Sequence, residues 1–481
     1  MESARLLAFE LVATHAVRTT RRAEPGYTAL IQMTSGSTGE PRSVRLSHAN
    51  LCANIAAISA RCRFNEGDRS LSWLPLTHDM GLVGFHLTPL ANRLTQILMP
   101  PGSFVRRPGR WLREASRLGA TVLGAPCWGL EQVLQRTPPA GDDGIELSGV
   151  RTVFLGADTV DSHVCAAFAA RMAPRGLAPE ALLPVYGLAE ASLAVSIPRH
   201  GGVRAQWLAR GQLAIGDRPG ARGAGDHDAI ALVCVGSAVD GLELRIAGPS
   251  GALAEGTVGR IEVRGASVSS DVDDAVRAAE VWLDTGDLGL LVDGELFVTG
   301  RDKQIAIVAG ETYPLHEIEA HARRALGPKA DVGACALGAD VVLFVRHAGG
   351  DFAPVARRAA REVLLTTGLT LRAIVPIGII PRTASGKIRR EALRARWAAG
   401  DQTPSGGVPG GGTDRASLVD PSPDEVRSKA DAAPTFAEQA RNEACDDAAA
   451  SGRQKKSRAV LAVLHELVRD VGGPASLEDD R

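Results

Sequence analysis

Apolar positions along this chain change period twice. From residue 27 to 200, short apolar runs alternate with stretches of helical spacing. Ala29-Leu30-Ile31-Gln32-Met33 predicts a short buried strand, and Thr121-Val122-Leu123-Gly124 and Val150 to Leu155 predict two more. Leu51, Ile55 and Ile58 share one helical face behind Ser47, a suitable N-cap, and Asp161 can cap the helix that follows the strand at 150–155. Strands alternating with helices imply an α/β layered sheet, whose ligand crevice opens at the carboxyl ends of the strands.

Residues 229 to 299 are β-rich instead. Runs at 229–235, 242–246 and 258–264 precede the pair 288–292 and 295–299, which flank Asp293-Gly294, a strong hairpin turn. A barrel-like β subdomain is expected. Residues 301 to 397 then read as a compact α+β unit, with strands at 305–308, 341–345 and 372–375, a helix from near Pro314 and a closing helix from Lys387. Pro376 fits a strand end, because it has no N–H for the ladder. Beyond Trp397 the chain turns Gly-, Pro- and Ser-rich, then polar, until an amphipathic helix from Arg458 carries Leu461, Leu464 and Leu467. The expected organisation is a large domain over 1–299, a smaller mobile domain over 300–397, a disordered linker over 398–456 and a terminal helix over 457–481.

Composition narrows the function classes. A chain of 481 residues with 45% apolar content can build more than one core. A net charge of -1 gives no field that would draw it to nucleic acid or anionic lipid. Seven cysteines lie singly with no Cys-x-x-Cys pair, as expected of reduced thiols in a cytoplasmic protein. No apolar run approaches the length of a membrane span, so no membrane insertion is expected.

The candidate chemistry starts at Thr34-Ser35-Gly36-Ser37-Thr38-Gly39-Glu40-Pro41-Arg42. Four hydroxyls and two glycines in six residues suit a loop that closes on polyphosphate, since glycine lets the backbone approach and hydroxyls donate. No Gly-Lys-Ser/Thr follows, so the loop is not a Walker P-loop. Downstream lie Tyr186-Gly187-Leu188-Ala189-Glu190, Thr285-Gly286-Asp287, Gly300-Arg301-Asp302-Lys303 and Arg382-Thr383-Ala384-Ser385-Gly386-Lys387. In this order the five segments resemble the core motifs of the adenylate-forming superfamily, which includes acyl-CoA synthetases, nonribosomal-peptide adenylation domains and fatty acyl-AMP ligases.

That resemblance implies a reaction in which a carboxylate attacks the α-phosphorus of ATP, pyrophosphate leaves, and the acyl group passes to a thiol. Joining two anions needs charge neutralisation and alignment. The resemblance assigns ATP contacts to Thr34, Ser35, Gly36, Ser37, Thr38, Gly39 and Arg42, where the family usually has lysine at the last position. Glu190 would hold Mg²⁺ between phosphate oxygens. Tyr186 and Gly187 would pack on adenine, Gly156, Ala157 and Asp158 would line the purine, and Asp287 would accept both ribose hydroxyls. Arg301 would donate to ribose or α-phosphate, Lys303 falls at the hinge of the small domain, and Lys387 would bridge carboxylate and α-phosphate. His78 would lie near the acyl group. As a loop cap, Asp158 has an equally good local reading.

Several segments are most similar to the fatty acyl-AMP ligases: Trp73 to Leu82, Tyr186 to Ala191, Val233 to Gly236, and Tyr313-Pro314 before Glu317. Residues 203 to 228 fall where that branch carries an insertion associated with restricted lid movement and transfer to carrier-protein thiols. Departures occur at Cys127-Trp128, Glu311-Thr312 and Gln304, which leaves the acid open. The implied partners are a carboxylic acid, a fatty one in the family's usual pattern, and an acyl carrier protein or domain. The family carries a longer segment before the phosphate loop than the 33 residues here, so a separate N-terminal polypeptide is a further expected partner. The alternatives are a coenzyme A ligase and a nucleotide-binding module without catalysis.

Overall fold

The computed structural model describes residues 23–35, 41–138, 143–226, 228–269, 281–308, 311–327, 330–338, 340–347, 349–382 and 388–399. The linker and terminal helix expected beyond residue 399 lie outside the described residues, as do Gly36 to Glu40 and Thr383 to Lys387.

A five-stranded parallel sheet forms the first large layer. Its order is Thr95–Leu98, Arg69–Ser72, Val122–Ala125, Thr152–Leu155 and Leu182–Pro184. The strands at 122–125 and 152–155 are buried throughout, which is why they read as continuous apolar runs rather than alternations. Helices Gly109–Leu118, Cys127–Arg136 and Ser162–Met172 are amphipathic, and Trp111, Leu130, Val133 and Phe168 from them enter the core built on this sheet. Asp161 caps the helix Ser162–Met172, accepting from His163 N–H and Val164 N–H.

Thr28–Ser35 is a strand, but it is neither buried nor part of that sheet. It pairs antiparallel with Pro41–Ser47 as a hairpin, and Ile31 and Met33 are 54% and 57% exposed. The apolar run misled because periodicity cannot separate a core strand from one whose side chains face out. The phosphate-loop segment therefore begins and ends on two antiparallel strands, with Gly36 to Glu40 outside the described residues, rather than following a parallel strand. Gln32, the buried residue of this run, donates to Thr77 O at 2.7 Å and ties the hairpin to the segment containing His78. The helix His48–Cys62 follows directly. Ser47 and Asn50 form a reciprocal capping box, worth about 1 kcal/mol, and Leu51, Ile55 and Ile58 are buried as the spacing requires.

The β-rich region forms a five-stranded antiparallel sheet, ordered Gly251–Ala252, Leu242–Gly248, Gly259–Gly265, Leu283–Val292 and Glu295–Arg301. The hairpin at Asp293-Gly294 has positive φ at both residues, 52° and 73°, as a type I′ turn demands. A second ribbon, Ala205–Ala209 with Ala229–Val233, abuts it through the bridge between Cys234 and Phe297.

The small domain carries the sheet Val332–Leu337, Asp340–Arg346 and Ala373–Ile377, with helices Leu315–Leu326, Ala353–Thr367 and Arg390–Ala398. Pro376 lies inside the strand Ala373–Ile377 rather than after it. The strand tolerates it because it is the sheet edge, where a missing N–H breaks no ladder.

One arginine ties this domain to the ribbon. The guanidinium of Arg210 donates to Glu317 Oε1 at 2.8 Å and 2.7 Å, to Thr366 O at 2.6 Å and to Ala229 O at 2.7 Å. Both Arg210 and Glu317 are buried. Burial alone would raise the Glu317 carboxyl above its ordinary value, but His321 and Arg210 outweigh it and the net direction is down. Removing one partner of such a pair strands the other charge, so Arg210→Ala is expected to cost about 3 kcal/mol of stability in chemical denaturation. A loss below about 0.5 kcal/mol would mean that the pair is solvated and contributes as little as a surface ion pair does.

The sign of the pH dependence follows from that lowered value. A carboxylate depressed in the folded state stabilises above the ordinary glutamate value of 4.5, and the contribution disappears as pH falls through the folded value. Denaturation of the unsubstituted chain between pH 7 and pH 3 is expected to show this acid limb. Arg210→Ala is expected to flatten it, and an unchanged limb would locate the acid sensitivity elsewhere.

Candidate functional site

A cleft of about 3190 Å³ runs between the hairpin, the parallel sheet, the β-rich sheet and the small domain. Its walls bring together Thr34, Arg42, His78, Gly156, Ala157, Asp158, Tyr186, Gly187, Glu190, Asp287 and Arg301, residues separated by up to 267 positions in sequence.

The most defined constellation is Tyr186, Asp287 and Arg301. The strand pair Leu283–Val292 and Glu295–Arg301 sets Asp287 directly opposite Arg301, and Arg301 Nε donates to Asp287 Oδ1 at 2.8 Å. The Tyr186 hydroxyl donates to Asp287 Oδ2 at 2.7 Å. Burial, then the Asp287 charge, push the phenol well above its usual range, so Tyr186 stays a donor. Asp287 also raises the Arg301 guanidinium further, so Arg301 stays charged. Gly286 turns the chain at φ 73°, and Thr285 Oγ1 accepts from Asp287 N–H at 3.2 Å while donating to Ile261 O at 2.9 Å. The carboxylate is thus fixed on a rigid frame at the cleft wall.

The Tyr186 segment has its own constraint. A Cβ on Gly187 would stand 1.9 Å from Leu193 O, so only glycine permits this close backbone approach. Gly187→Ala is accordingly expected to displace Glu190 and cost about 2 kcal/mol or more, read by thermal unfolding. Equal unfolding temperatures would mean that the loop relaxes freely. Glu190 sits half-buried in the short turn Ala189–Ala191 on the cleft wall.

Ala157 adopts a left-handed φ of 70° just after the buried strand Thr152–Leu155, an uncommon conformation for a residue with a side chain. Asp158 takes the capping role: it accepts from Cys127 N–H at 2.7 Å and Trp128 N–H at 3.2 Å, at the start of the helix Cys127–Arg136. Its carboxylate therefore positions that helix, while Asp158 remains part of the cleft wall.

His78 Nδ1 and Asp79 Oδ1 stand 2.5 Å apart, and Met80 N–H also points to His78 Nδ1 at 3.3 Å. Both side chains precede a π-helix, Met80–Leu87, whose Gly81 lies so close to Pro75 O that a Cβ would meet it at 2.2 Å. Arg42 is exposed on the hairpin, and Thr34 Oγ1 contacts Arg42 O at 3.4 Å across it. Ser35 is placed by its backbone at the hairpin end, and Lys303 by the turn Asp302–Gln304 between the β-rich sheet and the small domain. Gly36, Ser37, Thr38, Gly39 and Lys387 lie outside the described residues.

Sequence reasoning did not single out Arg210 or the role of Gln32. A lone arginine or glutamine has no local pattern, and only the tertiary partners give it meaning. The six described cysteines are all free, and burial raises Cys52 to about 11 and Cys62 to about 12, which makes them poor nucleophiles.

Residues of these types in this arrangement fit a nucleotide with its ribose on Asp287. Among the described residues no group of three or more His, Cys, Asp and Glu could hold a metal by itself. Magnesium bound to phosphates needs only one or two carboxylates, and Glu190 on the cleft wall fits that demand. No described helix is long and apolar enough to cross a membrane.

The fold is that of an adenylate-forming enzyme. The AMP-binding enzyme family matches residues 3–271, and the chain belongs to that family. It is 34% identical over 414 residues to the long-chain-fatty-acid–AMP ligase FadD26 of Mycobacterium bovis, covering 77% of this chain and 69% of that one. It is 32% identical over 419 residues to the medium-chain-fatty-acid–[acyl-carrier-protein] ligase TtuA of Teredinibacter turnerae, covering 79% and 65%. A solved structure from a study of fatty acyl-adenylate ligases of E. coli and L. pneumophila superimposes with a TM-score of 0.72 at 33% identity, over 79% of this chain and 72% of that chain. The chain thus spans about two thirds of the length of these curated relatives.

Proposed function

We propose that this chain activates a carboxylic acid as its acyl-adenylate, with ATP as the second substrate and pyrophosphate as the leaving group, and hands the acyl group to the phosphopantetheine thiol of an acyl carrier protein or domain. The observation that carries the reading is the Tyr186–Asp287–Arg301 constellation facing one cleft with Glu190 and Arg42.

In this reading Asp287 accepts the ribose hydroxyls and fixes the sugar, while Tyr186 and the backbone at Gly156-Ala157 bound the base. Arg301 places positive charge beside the α-phosphate. Arg42 and the hydroxyls from Thr34 to Thr38 neutralise the outgoing pyrophosphate. Magnesium, where bound through Glu190, would add charge neutralisation on the phosphates. His78 orients the incoming carboxylate, and Lys387 donates to both reactants as the new bond forms, which lowers the barrier through charge stabilisation present only in the transition state. Lys303 is the pivot about which the small domain turns between the two half-reactions, and Arg210 restrains that turn.

The carrier thiol is favoured over coenzyme A by the Arg210 tie between the 203–228 segment and two helices of the small domain, which restrains the domain movement. Incubating the chain with ATP, an accepted acid and holo carrier protein is expected to give acylated carrier by intact-protein mass spectrometry. Fast turnover with coenzyme A and no carrier acylation would replace the carrier reading with that of a coenzyme A ligase.

A further inference from the structure

The cleft wall next to His78 and Gly156 is aromatic and then abruptly polar. Trp73 stacks on Phe104 with centroids 3.7 Å apart and planes 1° from parallel, and Trp128 meets both rings edge-on at 5.6 Å and 6.0 Å. Phe85 fills the space left at Gly124 of the strand Val122–Ala125, where a Cβ would stand 2.3 Å from its ring, and Trp73 fills that at Gly129 of the helix Cys127–Arg136, where a Cβ would stand 3.0 Å away.

That helix also sets what lies farther out. Asp158 holds its first turn beside Gly156, so its cleft-facing stripe runs away from the nucleotide end: Trp128, then Glu131 and Gln132, then Gln135. Seven residues of helix make about 10 Å. Glu131 is bridged to Arg323 of the small domain at 3.3 Å. The Gln132 and Gln135 carboxamides are half-buried and have no hydrogen-bond partner among the described residues. An alkyl tail lying along this stripe would take water from two carboxamides and return nothing, an unfavourable exchange. A ring ending at Trp128 would gain an edge or face contact with an indole and leave the carboxamides wet.

We propose that the acid this cleft takes is short and ends in an aromatic ring, with Trp128 as the residue that selects the ring and Gln132 and Gln135 as those that reject a long unbranched alkyl tail. The inference rests on the acid-adenylation reading and narrows its substrate class.

The test compares 3-phenylpropanoic acid with dodecanoic and hexadecanoic acids in acid-dependent pyrophosphate exchange, and ranks the matching non-reactive acyl-sulfamoyl adenosines by calorimetric binding. The phenyl acid is expected to exceed dodecanoate by about tenfold or more in kcat/KM, within the discrimination an apolar pocket achieves. Trp128→Leu is expected to remove most of that advantage. Gln132→Leu with Gln135→Leu, both at half-exposed helix positions, is expected to raise dodecanoate use about tenfold and to leave the phenyl acid within about twofold. Dodecanoate preferred by the unsubstituted chain, or unchanged in the double variant, would overturn the assignment. The binding series separates the two levels of the argument. Phenyl-ranked binding without exchange for any acid supports this pocket and removes the adenylation reading, whereas binding of none of the three analogues overturns both.

Discussion

Replacing Asp287 by alanine is expected to lower kcat/KM for ATP by roughly 10²-fold or more, with most of the loss in KM. The carboxylate is the acceptor for two ribose hydroxyls in the proposed reaction, and hydrogen bonds to a charged group contribute about 1.5–3 kcal/mol each. The variant also leaves Arg301 Nε and the Tyr186 hydroxyl without their partner, at 2.8 Å and 2.7 Å in the folded chain. Asp287→Asn keeps one acceptor oxygen and should fall between the two. Nucleotide binding measured by calorimetry on all three proteins checks the order. Equal ATP affinity in the alanine variant would mean that this carboxylate only braces Tyr186 and Arg301.

Lys387→Ala is expected to have the opposite signature. A donor that acts as the new bond forms lowers the barrier without contributing to the ground state, so ATP affinity should hold while adenylate formation falls by on the order of 10²-fold. Single-turnover formation of the adenylate separates the two effects. Adenylation at the unsubstituted rate would remove Lys387 from the proposed chemistry. Together the two variants divide the cleft into a part that binds nucleotide and a part that acts at the reacting centre.

Much of this site can be read in the sequence, and the reason is local geometry. Asp293-Gly294 forces a two-residue turn that sets the register of its strands, and a bulge between Leu288 and Gly289 then shifts that register by one residue and places Asp287 opposite Arg301. Ser47 and Asp161 announce their helices because a cap is satisfied by neighbours a few residues away. The misreadings share the opposite property. Whether Ile31 and Met33 are buried depends on which element covers them, and whether Pro376 ends a strand depends on which side of the sheet that strand occupies. The cap formed by Asp158 is one of two readings that the sequence leaves open, and the N–H groups it takes lie 31 and 30 residues earlier in the chain, where no local pattern signals them. The buried tie from Arg210 to Glu317 spans 107 positions, and nothing near either residue signals it.

The 203–228 segment shows how one such long-range contact changes the functional picture. By composition it is an ordinary polar stretch between two β regions. Folded, it delivers one guanidinium to Glu317 of the helix Leu315–Leu326 and to the backbone of Thr366 in the helix Ala353–Thr367. The small domain is therefore anchored by a charge pair on the same side chain that would have to release it. That links the pH dependence of stability to the reach of the domain during the proposed second half-reaction.

The central claim is that this cleft joins a carboxylate to AMP. Exchange of labelled pyrophosphate into ATP, measured with and without a panel of carboxylic acids, tests it most directly. Exchange is expected to require an acid, to differ between acids and to fall by about 10²-fold in Asp287→Ala. Exchange with no acid of the panel, or exchange that proceeds equally without one, would contradict it.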